Sequence, residues 1–281
     1  MIYVSLGIEG LFTASGRIML TVNERAKLAL RTTDGVSYKV ASTRDEREAA
    51  FRLTYKSYVE AGLSGPNPHL MRISPHQLLP TTQMFVAILD AEVILTASLI
   101  ADEALGLPLE SVYPEEVAQR RRQGIRLAEV SCLADRRSQF RTFLPVFLSL
   151  SRLMVQYARR QQIDQLLVVT HPRHARFYRR MLSFESFGEQ RDYPSVRNSP
   201  AAPLVLDFDA AEKGHPENYD TFFGQQVSDH LLQPRPITPD QRDYFSQFVE
   251  TSYECALEVT MTRGLVDEPP AFRANDPTIC P

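Results

Sequence analysis

The stretch Leu127-Ala-Glu-Val-Ser-Cys-Leu-Ala-Asp135, with the helical segment that follows it, constrains the fold more than any other part of the chain. Read as a strand, it alternates faces, so Glu129, Ser131 and Leu133 share one side and Ala128, Val130 and Cys132 the other. Apolar residues on both faces predict a strand covered on both sides. An ionised carboxylate is costly there unless it is paired or put to use. Behind it, Leu144, Phe147, Leu148, Ser151, Met154, Val155 and Ala158 recur at three- and four-residue steps, the period of a helix. Thr142 is the expected N-cap, with Pro145 tolerated in the first turn. Arg136, Arg137 and Arg141 fall between strand and helix, so three guanidinium groups and a helix start can meet an anion.

The rest of the chain supplies partners for this unit. Ile18–Val22 reads as a strand and Asn23–Arg31 as a helix within an N-terminal extension, residues 1–37, to which no function is given; Asp34-Gly35 marks a turn. Tyr38–Val40 is the expected first strand of the main domain. Thr43-Arg-Asp-Glu46 fits a capping box for a helix running to Gly62. Four prolines between Ser64 and Pro80 predict a loop or short broken helices, which is either a binding loop or a passive crossover. Met84–Leu89 and Val93–Ile100 read as a hairpin, Pro114–Gln123 as a helix ended by Gly124, and Gln165–Thr170 as a short strand. A helix carrying Phe177, Tyr178, Met181 and Leu182 comes next, then strands at Phe184–Gly188 and Leu204–Phe208. This order predicts an α/β domain with a mixed sheet over residues 38–208. Residues 209–281 form an acidic, largely helical extension, docked on the domain or on a second subunit. In it Thr238-Pro-Asp-Gln241 starts a helix with Tyr244, Phe245, Phe248, Val249, Tyr253, Ala256 and Leu257 on one face, and Arg273–Pro281 is expected to be loose.

Charge is unevenly spread. Gln119–Arg180 holds 14 Arg, no Lys and three acids, a net +11 that leaves −14 on the remainder. That stretch can steer an acidic partner, or its arginines can simply solvate helix faces. No nucleic-acid motif accompanies the charge, and nucleic acid is not expected as a partner. Three scattered cysteines, Cys132, Cys255 and Cys280, show neither a disulfide framework nor metal spacing, which favours a reducing cytoplasm. No apolar run is long enough for a membrane span, and no signal peptide is evident.

Several short motifs in order carry a resemblance: Leu79-Pro-Thr-Thr82, Gly106-Leu-Pro108, Leu127-Ala-Glu-Val-Ser131 and His171-Pro-Arg-His-Ala-Arg-Phe-Tyr178. From Tyr38 to Phe208 the chain resembles the long-chain N-acyl amino acid synthases of the FeeM type, on the GNAT acyltransferase fold. Tyr55-Lys-Ser-Tyr58-Val-Glu60 is similar to the related acyl-homoserine lactone synthases. The resemblance implies transfer of a fatty acyl group from an acyl carrier protein thioester to the α-amine of an amino acid, with no permanently bound cofactor. The glycine-rich loop that cradles coenzyme A pyrophosphate in ordinary GNAT enzymes is absent between Asp135 and Thr142. That favours a donor with one phosphate, an acyl-phosphopantetheine arm held by Arg136, Arg137 and Arg141, over acyl-coenzyme A, for which the same three arginines would have to stand in for the missing loop. Leu182-Ser-Phe184 stands where the fold usually has Leu-Gly-Phe, one residue further from Tyr178 than is common.

Amide formation needs a neutral nucleophile, donors for a tetrahedral oxyanion and a proton for the departing thiolate. Glu129 is the expected proton acceptor; its alternative is a structural acid paired with Arg126. By resemblance to the bulged GNAT strand, the N–H groups of Ser131, Cys132 and Leu133 are the expected oxyanion donors. The thiol of Cys132 has no evident catalytic partner and reads as packing. His171 is expected to orient the thioester or the acceptor, or to cap its helix. No metal is expected from His171 and His174, because Pro172 breaks the register between them. Tyr178 is the expected donor to the thiolate. Arg52 and Tyr55, one turn apart, suit the acceptor, and Phe143, Leu144 and Phe147 suit the acyl chain. For each of these, ordinary packing or solvation is the alternative. The other functional readings are an acyl-homoserine lactone synthase-like enzyme with S-adenosylmethionine as acceptor, which the absence of tryptophan disfavours, and a carrier-binding module without turnover.

Overall fold

The computed structural model describes residues 35–136, 140–217 and 219–249, with backbone only at 140 and 141. The predicted elements at 18–22 and 23–31, Asp34, Arg137, the apolar residues beyond 249 and the 273–281 tail lie outside the described residues.

Chain order is β1 (Ser37–Val40), α1 (Arg44–Glu60), β2 (Gln83–Leu89), β3 (Glu92–Ala101), α2 (Pro114–Arg122), β4 (Leu127–Asp135), α3 (Phe140–Arg160), β5 (Gln165–Thr170) and α4 (Pro172–Met181). Then come β6 (Glu185–Ser186), β7 (Arg191–Tyr193), β8 (Ser199–Asp207), α5 (Phe208–Gly214), α6 (Tyr219–Phe223) and α7 (Pro239–Ser246). The capping box of α1 is present, with the Thr43 hydroxyl accepting the Glu46 N–H and Glu46 accepting the Thr43 N–H. Asp90 and Ala91 both take positive φ (50° and 64°), the requirement of a tight turn between β2 and β3.

The sheet runs β1-β2-β3-β4-β5-β8-β6, with β7 on β8. Its neighbours are antiparallel except β4 and β5, which α3 joins as a parallel crossover. That parallel ladder is short. It runs from Leu127↔Gln165 to Val130↔Val168 and stops, while β4 continues beside β3 and β5 beside β8. The cause is a bulge: Ser98 opposes Ser131 but Thr96 opposes Ala134, and Cys132 takes φ 53°. The middle of the sheet is therefore split beyond Val130.

The bulge also corrects a simple alternation. Leu133 does not share the face of Glu129. It joins Ala128 and Val130 in the core under α3 and α4, because the extra residue shifts the side-chain phase by one. Leu127, Ile100, Leu167 and Val169 line the opposite face, packed with Tyr58 of α1 and with Leu107, Leu109, Tyr113 and Val117. Two further expectations shift. Helix α3 begins at Phe140, so Thr142 lies inside it rather than capping it, and Pro145 is internal. Its predicted apolar face, Leu144 to Ala158, is nevertheless buried along its length. Strand β6 is two residues long, whereas β8 begins at Ser199, ahead of the predicted Leu204.

Of the C-terminal extension, α7 carries the predicted capping box and docks on the domain, with Phe245 fully buried 5.0 Å from the ring of Phe51. Acids of the extension pair with the end of α3: Arg159 with Glu212 and Asp209, Arg160 with Asp229. The opposite charges seen in the sequence thus meet within one chain. No helix of the described residues is long and apolar enough to cross a membrane.

Candidate active site

Glu129 stands one residue before the last pair of the β4–β5 ladder and is 0% exposed. Its Oε2 accepts the Leu109 N–H at 2.8 Å, and its Oε1 has no hydrogen-bond partner among the described residues. Burial pushes its pKa up to about 7, against the Leu109 N–H and the Ser131 hydroxyl, which pull it down. Arg126 is not its partner. That guanidinium is taken by Asp164, at 2.9 Å.

The donor N–H comes from a short 3₁₀ turn, Pro108–Ser111, and its surroundings explain the Gly-Leu-Pro motif. Gly106 takes φ 70°, and a Cβ there would meet Glu110 Oε1 at 2.5 Å. Glu110 accepts the Leu107 N–H at 2.6 Å, and Arg121 grips both Glu110 and Asp102. The Leu-Pro-Thr-Thr motif is likewise a turn closure, with Thr82 Oγ1 donating to the His76 carbonyl at 2.6 Å. That fixes the turn Pro75–Leu78, from which Gln77 Nε2 donates to Ser98 Oγ at 3.1 Å, opposite Ser131. Sequence reasoning did not single out Leu109, Gln77 or Ser98. A backbone donor leaves no side-chain signal, and the polar pair forms between segments far apart in the chain.

Arg72 was also missed. It is 5% exposed, its guanidinium lies 4.8 Å over the Tyr58 ring on the Glu129 side of the sheet, and one of its nitrogens reaches the Ser195 carbonyl at 3.5 Å. Its charge is near enough to pull the thiol of Cys132 down, although burial, the larger effect, pushes that thiol up. Arg52, by contrast, is exposed at the helix surface, bonded to Glu48 at 2.7 Å and to the His69 carbonyl at 3.2 Å. Tyr55 is buried, with its hydroxyl accepting the Asn67 N–H at 3.3 Å.

Across the sheet, Tyr178 is buried in the same lining as Val130, the last paired residue of the β4–β5 ladder, and its hydroxyl has no hydrogen-bond partner among the described residues. Burial raises its pKa strongly. It lines an apolar slot with Val130, Leu133, Phe147, Met154 and Phe222, of about 30 Å³, roughly one or two waters. Phe147 belongs to that slot, while Phe143, stacked 5.0 Å from Phe147, and Leu144 are core beside it. His171 caps α4, its Nδ1 accepting the Arg173 N–H at 3.3 Å, and burial lowers its pKa. Ser183, where the fold usually has glycine, takes φ 58°. Arg136 pairs with Glu92 on the surface; Arg137 and the side chain of Arg141 lie outside the described residues.

Residues 49–207, more than half of the chain, match the model of the N-acyl amino acid synthase FeeM. The chain belongs to the FeeM family. It is an acyltransferase, on a fold shared with other acyltransferases. FeeM itself, an N-acyl amino acid synthase from uncultured soil microbes, is 28% identical over 62% of this chain and 91% of its own, with TM-score 0.54. The acyl-homoserine lactone synthase LasI shares the fold at 16% identity over 69% of this chain and 96% of its own, with TM-score 0.50. So does BjaI, a CoA-dependent acyl-homoserine lactone synthase, at 14% identity over 75% and 100%, with TM-score 0.50. No curated protein sequence matches significantly.

The conformation of Cys132 makes a prediction. Cys132→Ala is expected to keep turnover of the parent's order, because alanine removes only the thiol. Cys132→Val is expected to lose about 1–3 kcal/mol of stability, since a β-branched residue resists positive φ. Urea melts and turnover of the two variants check this; an inactive, folded Cys132→Ala would instead point to a covalent acyl-enzyme.

Proposed function

We propose that this FeeM-family protein transfers a long-chain fatty acyl group from an acyl carrier protein thioester to the α-amine of an amino acid. The observation that carries the reading is the free oxygen of a fully buried carboxylate, beside a sheet split open by a bulge. Glu129 Oε1 takes a proton from the acceptor ammonium, and the neutral nitrogen attacks the thioester carbonyl. The C–N bond forms, and the oxyanion is held by N–H groups of Ser131, Cys132 and Leu133, which lie beyond the end of the β5 ladder. The C–S bond then breaks as the nitrogen gives up its second proton, which passes through the Tyr178 hydroxyl to the departing thiolate. Glu129 returns the first proton to solvent, leaving amide and thiol as products and both side chains as they began. On this reading the donor enters from the α3–α4 face and the acceptor from the Glu129 face, where Arg72 meets its carboxylate. Arg52, Tyr55 and His171 stand further out, as supports of the acceptor loop and of α4.

The carrier dock is assigned to Arg136, Arg137 and Arg141 together with α4, whose Arg173, Arg179 and Arg180 are exposed. Carrier affinity is expected to fall steeply as salt rises, by loss of association rate, because exposed charges are screened within about 8–10 Å at physiological ionic strength. Affinity measured by titration at low and high salt tests this, and a salt-independent value moves the dock elsewhere. The function itself is tested by incubating purified protein with long-chain acyl carrier protein, each of the twenty amino acids and S-adenosylmethionine, and weighing the products. An N-acyl amino acid supports the proposal. A lactone reassigns the acceptor, and carrier binding without any product, beside an active control, leaves a non-catalytic module.

A further inference from the structure

The apolar slot under α3 ends on a residue that the family match does not include. From Phe147 to Val155 its wall spans eight residues of α3, about 12 Å at ~1.5 Å per residue. Tyr178 stands at the Phe147 end, 6.4 Å from that ring, with Val130, where the β4–β5 ladder stops, in the same lining; at the other end, beside Met154 and Val155, stands Phe222, from α6. The family match stops at residue 207, so α6 belongs to this chain's own extension. Its backbone is held independently of the Phe222 ring: Arg152 Nε donates to the Thr221 carbonyl at 2.8 Å and Gln156 Nε2 to the Phe222 carbonyl at 2.7 Å. Gln156 Oε1 also accepts the Val227 N–H at 2.8 Å. Phe222 is 3% exposed and adds its ring to a wall that is aliphatic at Met154 and Val155 and aromatic at Phe147 and Tyr178.

We propose that Phe222 is the floor of the acyl slot and sets the longest acyl chain the enzyme accepts. This rests on the acyl-transfer reading above and assigns a specificity residue to it. The slot as it stands holds only about 30 Å³, so a saturated chain entering from the split spreads the side chains along α3 before it meets the ring end-on. Beyond that length each further methylene must displace an aromatic side chain whose backbone is pinned. A pocket wall discriminates one methylene by roughly 10–200-fold, so one ring can fix an upper limit.

The experiment is a competition among acyl carrier proteins loaded with saturated chains from medium to very long, with products weighed for the parent, Phe222→Ala and Phe222→Trp. Phe222→Ala is expected to move the product distribution to longer chains, raising the long-to-short ratio about tenfold, and Phe222→Trp to move it to shorter ones. Identical distributions in all three folded proteins would overturn the proposal. Should Phe222→Ala fail to fold, Phe222→Leu and Phe222→Trp still read the two directions. If the parent forms no amide with any donor, it is the acyl-transfer reading that fails. The slot is then read by thermal stabilisation of the full-length chain with free fatty acids of rising length. A length cut-off that Phe222→Leu moves upward retains the floor, and one that it leaves in place rejects it.

Discussion

Glu129→Gln is expected to lower kcat by about 10²–10⁴-fold, the range of a lost general base, while leaving carrier affinity and fold intact. Glutamine keeps an oxygen to accept the Leu109 N–H but cannot take a proton. In the parent only the carboxylate form is a base, so the rate is expected to rise with pH through about 7 and then level off, and the variant's residual rate should lack that inflection. Stability should move the opposite way. With a folded pKa of about 7 against an ordinary 4.5, the native state holds a proton that the unfolded chain has released. Stability of the parent therefore falls as pH rises from about 4.5 to 7 and is flat above, a loss of up to about 3 kcal/mol at 1.36 per unit. Glu129→Gln avoids that loss. It should melt higher than the parent at pH 8 and level with it near pH 4.5. A variant with parental turnover would remove Glu129 from the chemistry, and one with no stability gain at pH 8 would mean the carboxylate is not desolvated as the geometry requires.

How much of this the sequence disclosed depends on how local each signal is. Capping boxes at Thr43 and Thr238, the β2–β3 hairpin and the α3 period are short-range patterns, and they recur in the fold at the predicted places. The start of α3 was misplaced because Thr142 offers a capping side chain, yet the helix continues upstream of it to Phe140. Strand β8 begins ahead of Leu204 because Arg191–Tyr193 pairs with its first part and β5 with its last, long-range partners that hold Pro200 and Pro203 in a strand these residues disfavour. Alternation along β4 misled at Leu133, since nothing in Ser131-Cys-Leu133 announces a left-handed residue at Cys132. The site followed the same division. Glu129 stands out as an acid in an apolar strand, but what raises its pKa is assembled from α1, β3 and the Gly106 turn, segments whose meeting only the tertiary fold creates.

Arg72→Gln is expected to raise KM for the amino acid by about 10²-fold with kcat changed far less. That corresponds to about 2.7 kcal/mol, within the 2–5 kcal/mol of a buried charged hydrogen bond lost. The reasoning is one of burial. A guanidinium 5% exposed and stacked over Tyr58 meets a carboxylate in a low dielectric, whereas Arg52 is exposed to solvent, where a charge pair such as the one it makes with Glu48 is worth little. Arg52→Gln should accordingly change KM by no more than about twofold. A decarboxylated amine with the same side chain separates recognition from mere packing. The parent should strongly prefer the amino acid over the amine, and Arg72→Gln should erase that preference by losing only the amino acid. Arg72→Lys keeps the charge without the planar fork or the stacking on Tyr58, so it should recover part of the preference. An unchanged amino acid-to-amine ratio in a folded Arg72→Gln would show that the acceptor carboxylate is bound elsewhere. The deep face of the sheet would then recognise the amine alone, with the side chain of the acceptor as the only remaining source of selectivity.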